Sequence, residues 1–194
     1  VPIHDIREKM KNVTLDEHGF CFVERQLPAI DFFDPESVQQ TYYDECKELV
    51  KNATGADRVL AFDHNVRDKE LSDQPGVDFP VRFAHNDYTD ASGPQRVRDL
   101  MGDQADELLK HRYQFINVWR PLRGPVLDTP LAVCDATSLE ADDFIATDLR
   151  YRDRLGEIFS FSFNENHRWV YLREMLDHEI LLLKCFDSAT DGVA

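Results

Sequence analysis

The sequence predicts a mainly β fold, a sandwich or barrel with helices packed outside it. Three observations lead there. From residue 113 onward the chain is a series of short runs rich in aromatic and β-branched residues, separated by turn signals. Helical spacing occurs in only two segments, both before residue 113. The regular strand–helix alternation of a Rossmann sheet is missing after residue 112, as are the G-x-G-x-x-G and P-loop motifs.

The elements run in chain order. Residues 19–23 (Gly-Phe-Cys-Phe-Val) read as a short strand. Residues 35–52 read as a helix, with Pro35 at its start, Val38, Tyr42, Cys46 and Leu49 at helical spacing, and Thr54-Gly55 ending it. Residues 58–63 (Arg-Val-Leu-Ala-Phe-Asp) read as a strand. Residues 68–79 are polar and contain Pro75 and Gly76, which suits a loop or a lid. Residues 80–88 form the next strand, and Ser92-Gly93-Pro94 opens a helix to about Arg112 with Ser92 as its cap. Then come strands at 113–119, at 131–134 after the Gly124-Pro125 turn, and at 157–163, whose Phe residues alternate onto one face. Segments 169–172 and 180–186 are expected to pair across a turn at 175–178.

Composition narrows the function. The formal charge is −15 and the pI about 4.8, which disfavours nucleic acid and anionic membranes as partners, since phosphates need Lys and Arg. An anionic co-substrate would need a local basic residue in its pocket. No apolar run approaches the roughly 20 residues needed to span a bilayer, and no secretory signal pattern opens the chain. The cysteines Cys21, Cys46, Cys134 and Cys185 are scattered without a C-x-x-C, and read as reduced core thiols of a cytoplasmic protein. The length suits one domain over 1–194. The chain opens on Val1 and stops at Ala194 soon after a strong strand, so the expectation is a domain lacking its C-terminal strands. Oligomeric state stays open, a homo-oligomer included.

The sharpest chemical signal is His85-Asn86-Asp87. On an extended segment, residues i and i+2 point the same way, so an imidazole and a carboxylate reach one metal ion together. That is two thirds of the 2-His-1-carboxylate facial triad of non-haem Fe(II) oxygenases, which leaves open positions for co-substrate and O₂. From spacing alone the ordinary alternative is a strand-end ion pair, because roughly one His-x-Asp is expected by chance in such a chain. Neutral imidazole with carboxylate, and no thiolate cluster, favours iron over zinc.

A wider pattern surrounds this pair. His85-Asn-Asp87-Tyr-Thr89, Ile116-Asn-Val-Trp-Arg-Pro121, Gly124-Pro-Val126, Pro130-Leu-Ala-Val-Cys-Asp135, Asn166-His-Arg-Trp169 and Leu182-Leu-Lys-Cys-Phe-Asp-Ser188 stand in one order. The series resembles the CmcJ-like, fungal gibberellin-desaturase-like oxidoreductases, from about Val13 to the C-terminus. The resemblance implies a double-stranded β-helix (a jelly roll, cupin-like) that binds Fe(II) and 2-oxoglutarate and hydroxylates or desaturates a small, secondary metabolite. His85 and Asp87 match its first two iron ligands and catalytic positions. Its second His is expected in a Pro-His-Thr-like stretch after Ser188, with an Arg on the next strand for 2-oxoglutarate; both fall beyond residue 194.

Other residues carry two readings each. His167 is a candidate third metal ligand or a hydrogen-bonded hairpin corner, the latter favoured. Lys184, inside an apolar strand, is a candidate for the 2-oxoglutarate anion, a partner of a carboxylate such as Asp135, or an outward lysine. Asn117 alternates with Phe115 and Trp119, so it lines the cofactor cavity or ties down a bulge. Arg120 suits a carboxylate but more ordinarily pairs with Asp128 or Asp135. Tyr88 and Thr89 flank the dyad as ligand-orienting donors. Trp119, Phe161 and Trp169 suit an apolar substrate or a core. Residues 140–148 read as a solvated acidic loop. Two other functions stay open: a jelly-roll binding module without chemistry, and a cupin-type hydrolase or isomerase built on His85, Asp87 and His167.

Overall fold

A computed structural model describes residues 1–26, 30–150 and 155–189. Its strands are β1 (Ile3–Asp5), β2 (Phe20–Glu24), β3 (Val66–Arg67), β4 (Val77–Asp78), β5 (His85–Asn86), β6 (Gln114–Trp119), β7 (Ala132–Cys134), β8 (Phe144–Arg150), β9 (Leu155–Phe161), β10 (Trp169–Tyr171) and β11 (Glu179–Asp187). The α-helices are α1 (Leu15–His18), α2 (Pro35–Ser37), α3 (Tyr43–Thr54), α4 (Ser92–Met101) and α5 (Ala105–Leu108). Residues 190–194, where the sequence led us to expect no closing element, lie outside the described residues. Two compact units result, one of Val1–Glu24 with His85–Ala194 and one of Arg25–Ala84.

In the larger unit, β11 is the organising strand. It lies between β2 and β6, antiparallel to both. Its sequence explains the position: Ile180, Leu181 and Leu182 are 0 %, 2 % and 0 % exposed, and a strand apolar on both faces needs cover on both. Burying each such side chain contributes about 1.5–3 kcal/mol. The ladder with β6 slips between Lys184 and Phe186, a bulge that changes the facing of the residues after it. A second sheet, β1-β10-β7, contributes Val133 and Val170 to a core shared with Phe20 and Leu181. A third, β5-β9-β8, rests on the long β8–β9 ladder and carries the short β5 at its edge. Helix α4 covers the far end of β11, where Val97 and Ala105 pack with Phe115, Cys185 and Phe186. Close approach is possible because position 93 is glycine: a Cβ there would stand 2.8 Å from the Phe186 ring.

In the smaller unit, Asp34 caps α2 by accepting from the backbone N–H of Glu36 and Ser37. A π-helical turn (Val38–Tyr42) joins α2 to α3. Gly55 stops α3 in the left-handed region at φ 71°, its N–H bonded to the Lys51 carbonyl.

Five expectations are corrected. Residues 58–63 form no strand; the ladder in that unit is β3 with β4, whose Val66 and Val77 are buried whereas Leu60 and Phe62 are exposed. The segment 68–79, expected as a plain loop or lid, ends in β4 and is closed on itself by that ladder. Only His85–Asn86 of residues 80–88 pairs as strand. Segments 169–172 and 180–186 do not pair: β10 takes β1 and β7, and the fully buried β11 takes the more distant β2 and β6. Residues 140–148 are solvated for the most part but not a loop, since they form a short 3-10 turn and the start of β8, and Asp143 among them is buried.

Candidate metal centre

β5 is the edge strand that presents the dyad. His85 stands opposite Ser160 of β9, and the chain leaves the ladder after Asn86. Asp87, two residues on from His85, returns to the same side. The His85 Nε2 and the Asp87 Oδ1 are 3.3 Å apart, with the two side chains 32 % and 36 % exposed. Two donors held about 2.1 Å from one ion at right angles stand about 3 Å apart, so the separation fits a shared cation with little adjustment.

The surroundings favour an ionised Asp87. Burial pushes its pKa up, but hydrogen bonds from His85 and from Asn117 outweigh burial and leave it below the usual carboxylate value. The Asn117 Nδ2 donates to the Asp87 Oδ2 at 2.6 Å. Cys185 lies against the same carboxylate; burial first, then the Asp87 charge, drive its thiol well above its ordinary value, so it stays protonated. Behind the dyad Tyr88 stacks on Phe115 at 4.1 Å. The donor set is one imidazole nitrogen and one carboxylate oxygen, hard and borderline ligands suited to Fe(II). Among the described residues no group of three or more His, Cys, Asp or Glu comes together to hold a metal ion.

The other residues singled out from the sequence divide. Asn117 is brought to the dyad. His167 is not: its Nε2 is 2.9 Å from the Asp143 Oδ2, and the two side chains are 2 % and 7 % exposed. Asp143 also accepts from the Glu140 N–H and from Asn164, and it is lowered to about 2 by the Glu140 backbone bond first and His167 second. This is a structural hydrogen-bonded role in the connection between β9 and β10, which lie in different sheets and form no hairpin, so His167 as a third ligand is corrected. Lys184 is likewise corrected as a 2-oxoglutarate contact. It sits opposite Ile116, whereas Asn117 sits opposite Leu183, so it points to the other face of the sheet. There its Nζ lies 3.2 Å from Asp187 and 3.4 Å from Asp16. Asp187 adds Arg112 and Gln114, an internal charge network that compensates the lysine's burial.

Arg120 donates to the Asp177 carbonyl, while Asp135 takes Arg168 at 3.1 Å. Thr89 is engaged in the turn before α4 and not toward the dyad: its hydroxyl accepts from the Ser92 N–H and donates to Glu157, and it is buried. Trp119 packs against the main core, Phe161 against Phe144, and Trp169 against His167. The residue that sequence reasoning missed at the site is Cys185, which composition marked only as a core thiol; no local signal reveals that the bulge delivers it to Asp87.

A family model described as an oxidoreductase/YMDC permease-like domain matches residues 1–194. No helix among the described residues is long and apolar enough to cross a membrane. The chain is 36 % identical to the Fe(II)/2-oxoglutarate-dependent dioxygenase nvfI of Aspergillus novofumigatus, over 97 % of this chain and 70 % of that protein. It is 33 % identical to the hydroxylase/desaturase CTB9 of Cercospora beticola, over 100 % of this chain and 67 % of that one. The solved structure of the iron and alpha-ketoglutarate-dependent endoperoxidase NvfI superimposes with a TM-score of 0.90 at 34 % identity, covering 98 % of this chain and 73 % of that chain. That match assigns the mainly β arrangement with flanking helices to the jelly-roll class. The chain therefore belongs to this oxidoreductase family, alongside fungal Fe(II)/2-oxoglutarate-dependent dioxygenases and hydroxylase/desaturases.

Proposed function

We propose that this protein carries out the Fe(II)- and 2-oxoglutarate-dependent oxidation, by hydroxylation or desaturation, of a small secondary metabolite. The observation that carries the reading is the His85–Asp87 pair, 3.3 Å apart on one strand end, in a chain 36 % identical to a dioxygenase of that dependence. His85 and Asp87 are two of the protein ligands. When bound, the iron with its co-substrate supplies O₂ activation and substrate oxidation. Asp87 provides the anionic oxygen, ionised at neutral pH because His85 and Asn117 stabilise its charge. His85 provides an imidazole nitrogen from the strand end. The Tyr88–Phe115 stack forms an apolar floor behind them, and burial pushes the Tyr88 phenol up to about 12, so it does not compete as an anionic ligand.

On this reading residues 1–194 are one oxygenase-like domain interrupted by the unit at 25–84, working in the cytoplasm on a small molecule; the charge of −15 argues against a nucleic-acid partner. The test is turnover of 2-oxoglutarate to succinate under O₂. Iron-dependent turnover in the full chain, lost in His85→Ala, is the expected result. Turnover that ignores iron, or survives the substitution, sinks the proposal. A second reading, a jelly-roll binding module without chemistry, draws support from the lack of a third ligand among the described residues. It predicts 2-oxoglutarate or metabolite binding with no succinate formed.

A further inference from the structure

We propose that Asn117 is a positioning residue that decides which oxygen of Asp87 faces the metal. The inference rests on the reading that His85 and Asp87 hold iron, and goes beyond it. The two carboxylate oxygens of Asp87 stand in different surroundings: Oδ1 is 3.3 Å from the His85 Nε2, and Oδ2 receives the Asn117 amide at 2.6 Å. The terminal torsion of an aspartate is soft, so an untethered carboxylate turns easily and can offer either oxygen, or both. Two-oxygen ligation would occupy a coordination position that a co-substrate or O₂ needs. A donor fixed on Oδ2 prevents this by leaving Oδ1, beside the His85 Nε2, as the oxygen turned to the ion.

Asn117 is well placed for the task. It comes from β6, 30 residues away in sequence, and its backbone is held opposite Leu183 of β11, the most buried strand of the molecule. The amide is neutral, so it orients Asp87 without cancelling the charge that binds a cation, as a lysine there would. With that donor on Asp87, Asn117 acts through the ligand and not as a direct anchor for 2-oxoglutarate.

The experiment is anaerobic Fe(II) titration of the full chain with 2-oxoglutarate, followed by the visible charge-transfer band. The variants are Asn117→Leu, which keeps the volume and removes the donor, and Asn117→Gln, which keeps an amide. Asn117 is exposed, and a thermal melt of each variant checks that the fold is kept. The expected result is an Fe(II) Kd raised about 10–100-fold in Asn117→Leu with a shifted or weakened band, and a Kd between the two in Asn117→Gln. A Kd within about twofold of wild type with an unchanged band in Asn117→Leu overturns the inference while leaving the iron reading intact. No iron binding by the wild-type chain overturns both.

Discussion

Two His–Asp pairs among the described residues have opposite characters. His167 and Asp143 are 2.9 Å apart, both nearly inaccessible, and Asp143 is saturated by the Glu140 N–H and Asn164. His85 and Asp87 are 3.3 Å apart and about one-third exposed, and Asp87 keeps its Oδ1 turned toward the imidazole while Asn117 holds its Oδ2. The same two side chains thus serve different ends. A buried pair whose carboxylate is already occupied by several donors serves stability. A half-exposed pair whose tethered carboxylate turns Oδ1 to the imidazole alone can exchange that contact for a shared cation. Chain separation points the same way. Asp143 and His167 are 24 residues apart and tie the start of β8 to the connection between β9 and β10, whereas His85 and Asp87 are two residues apart and tie no distant segments together.

Substitutions sharpen this contrast. The largest effect is expected at the exposed pair, and on binding: His85→Ala or Asp87→Ala raises the Fe(II) Kd by about 100-fold or more, since removing a ligand costs more than removing a residue behind it. Isothermal titration of the folded variants measures this, and their melting temperatures are expected to stay near wild type. The buried pair should invert the pattern. His167→Ala breaks a buried charge-assisted bond and costs about 3 kcal/mol. That lowers Tm by about 6–12 °C for a chain of this size, with the Fe(II) affinity of the folded fraction unchanged. Loss of iron binding there, with no loss of stability, breaks the contrast.

Two further effects are smaller. Lys184→Met is expected to cost about 1–2 kcal/mol in urea unfolding, because Asp187 keeps Arg112 and Gln114, and to leave 2-oxoglutarate affinity unchanged. A weakened 2-oxoglutarate Kd would return Lys184 to the site. The pH response is the finest test. Asp143 titrates at about 2 in the fold and about 3.9 unfolded, so its folded value is depressed. The unfolded state then binds the proton first, and the stability Asp143 contributes is complete above about pH 4 and is lost as pH falls toward about 2. Urea unfolding across that window should show a shallower acid slope in Asp143→Asn than in wild type.

How much of this was legible depends on whether the signal was local. The i, i+2 spacing of His85 and Asp87 needs only strand geometry, and it survives even though β5 is just His85–Asn86. The apolar run of β11 and the aromatic alternation of β6 announce strands by composition, and they pair, with β11 at the centre of its sheet and β6 at one edge. Pairing is another matter. The expected hairpin between 169–172 and 180–186 failed because β11, apolar on both faces, needs two partners, and a short turn supplies one. The facing of Lys184 was ambiguous because a single bulge beside Cys185 changes the alternation. The strand expected at 58–63 has the right residues but no ladder, while β3 and β4 pair with two residues each. Asn117 was recognised as a polar residue on an apolar face, and only the folded register shows that it meets Asp87, 30 residues upstream.

The central claim is that iron is held by the exposed pair and not the buried one. Anaerobic titration of wild type, His85→Ala and His167→Ala with Fe(II) and 2-oxoglutarate tests it most directly. The expected result is a visible charge-transfer band in wild type and in His167→Ala, and none in His85→Ala. A band that persists in His85→Ala, or vanishes in His167→Ala alone, contradicts it.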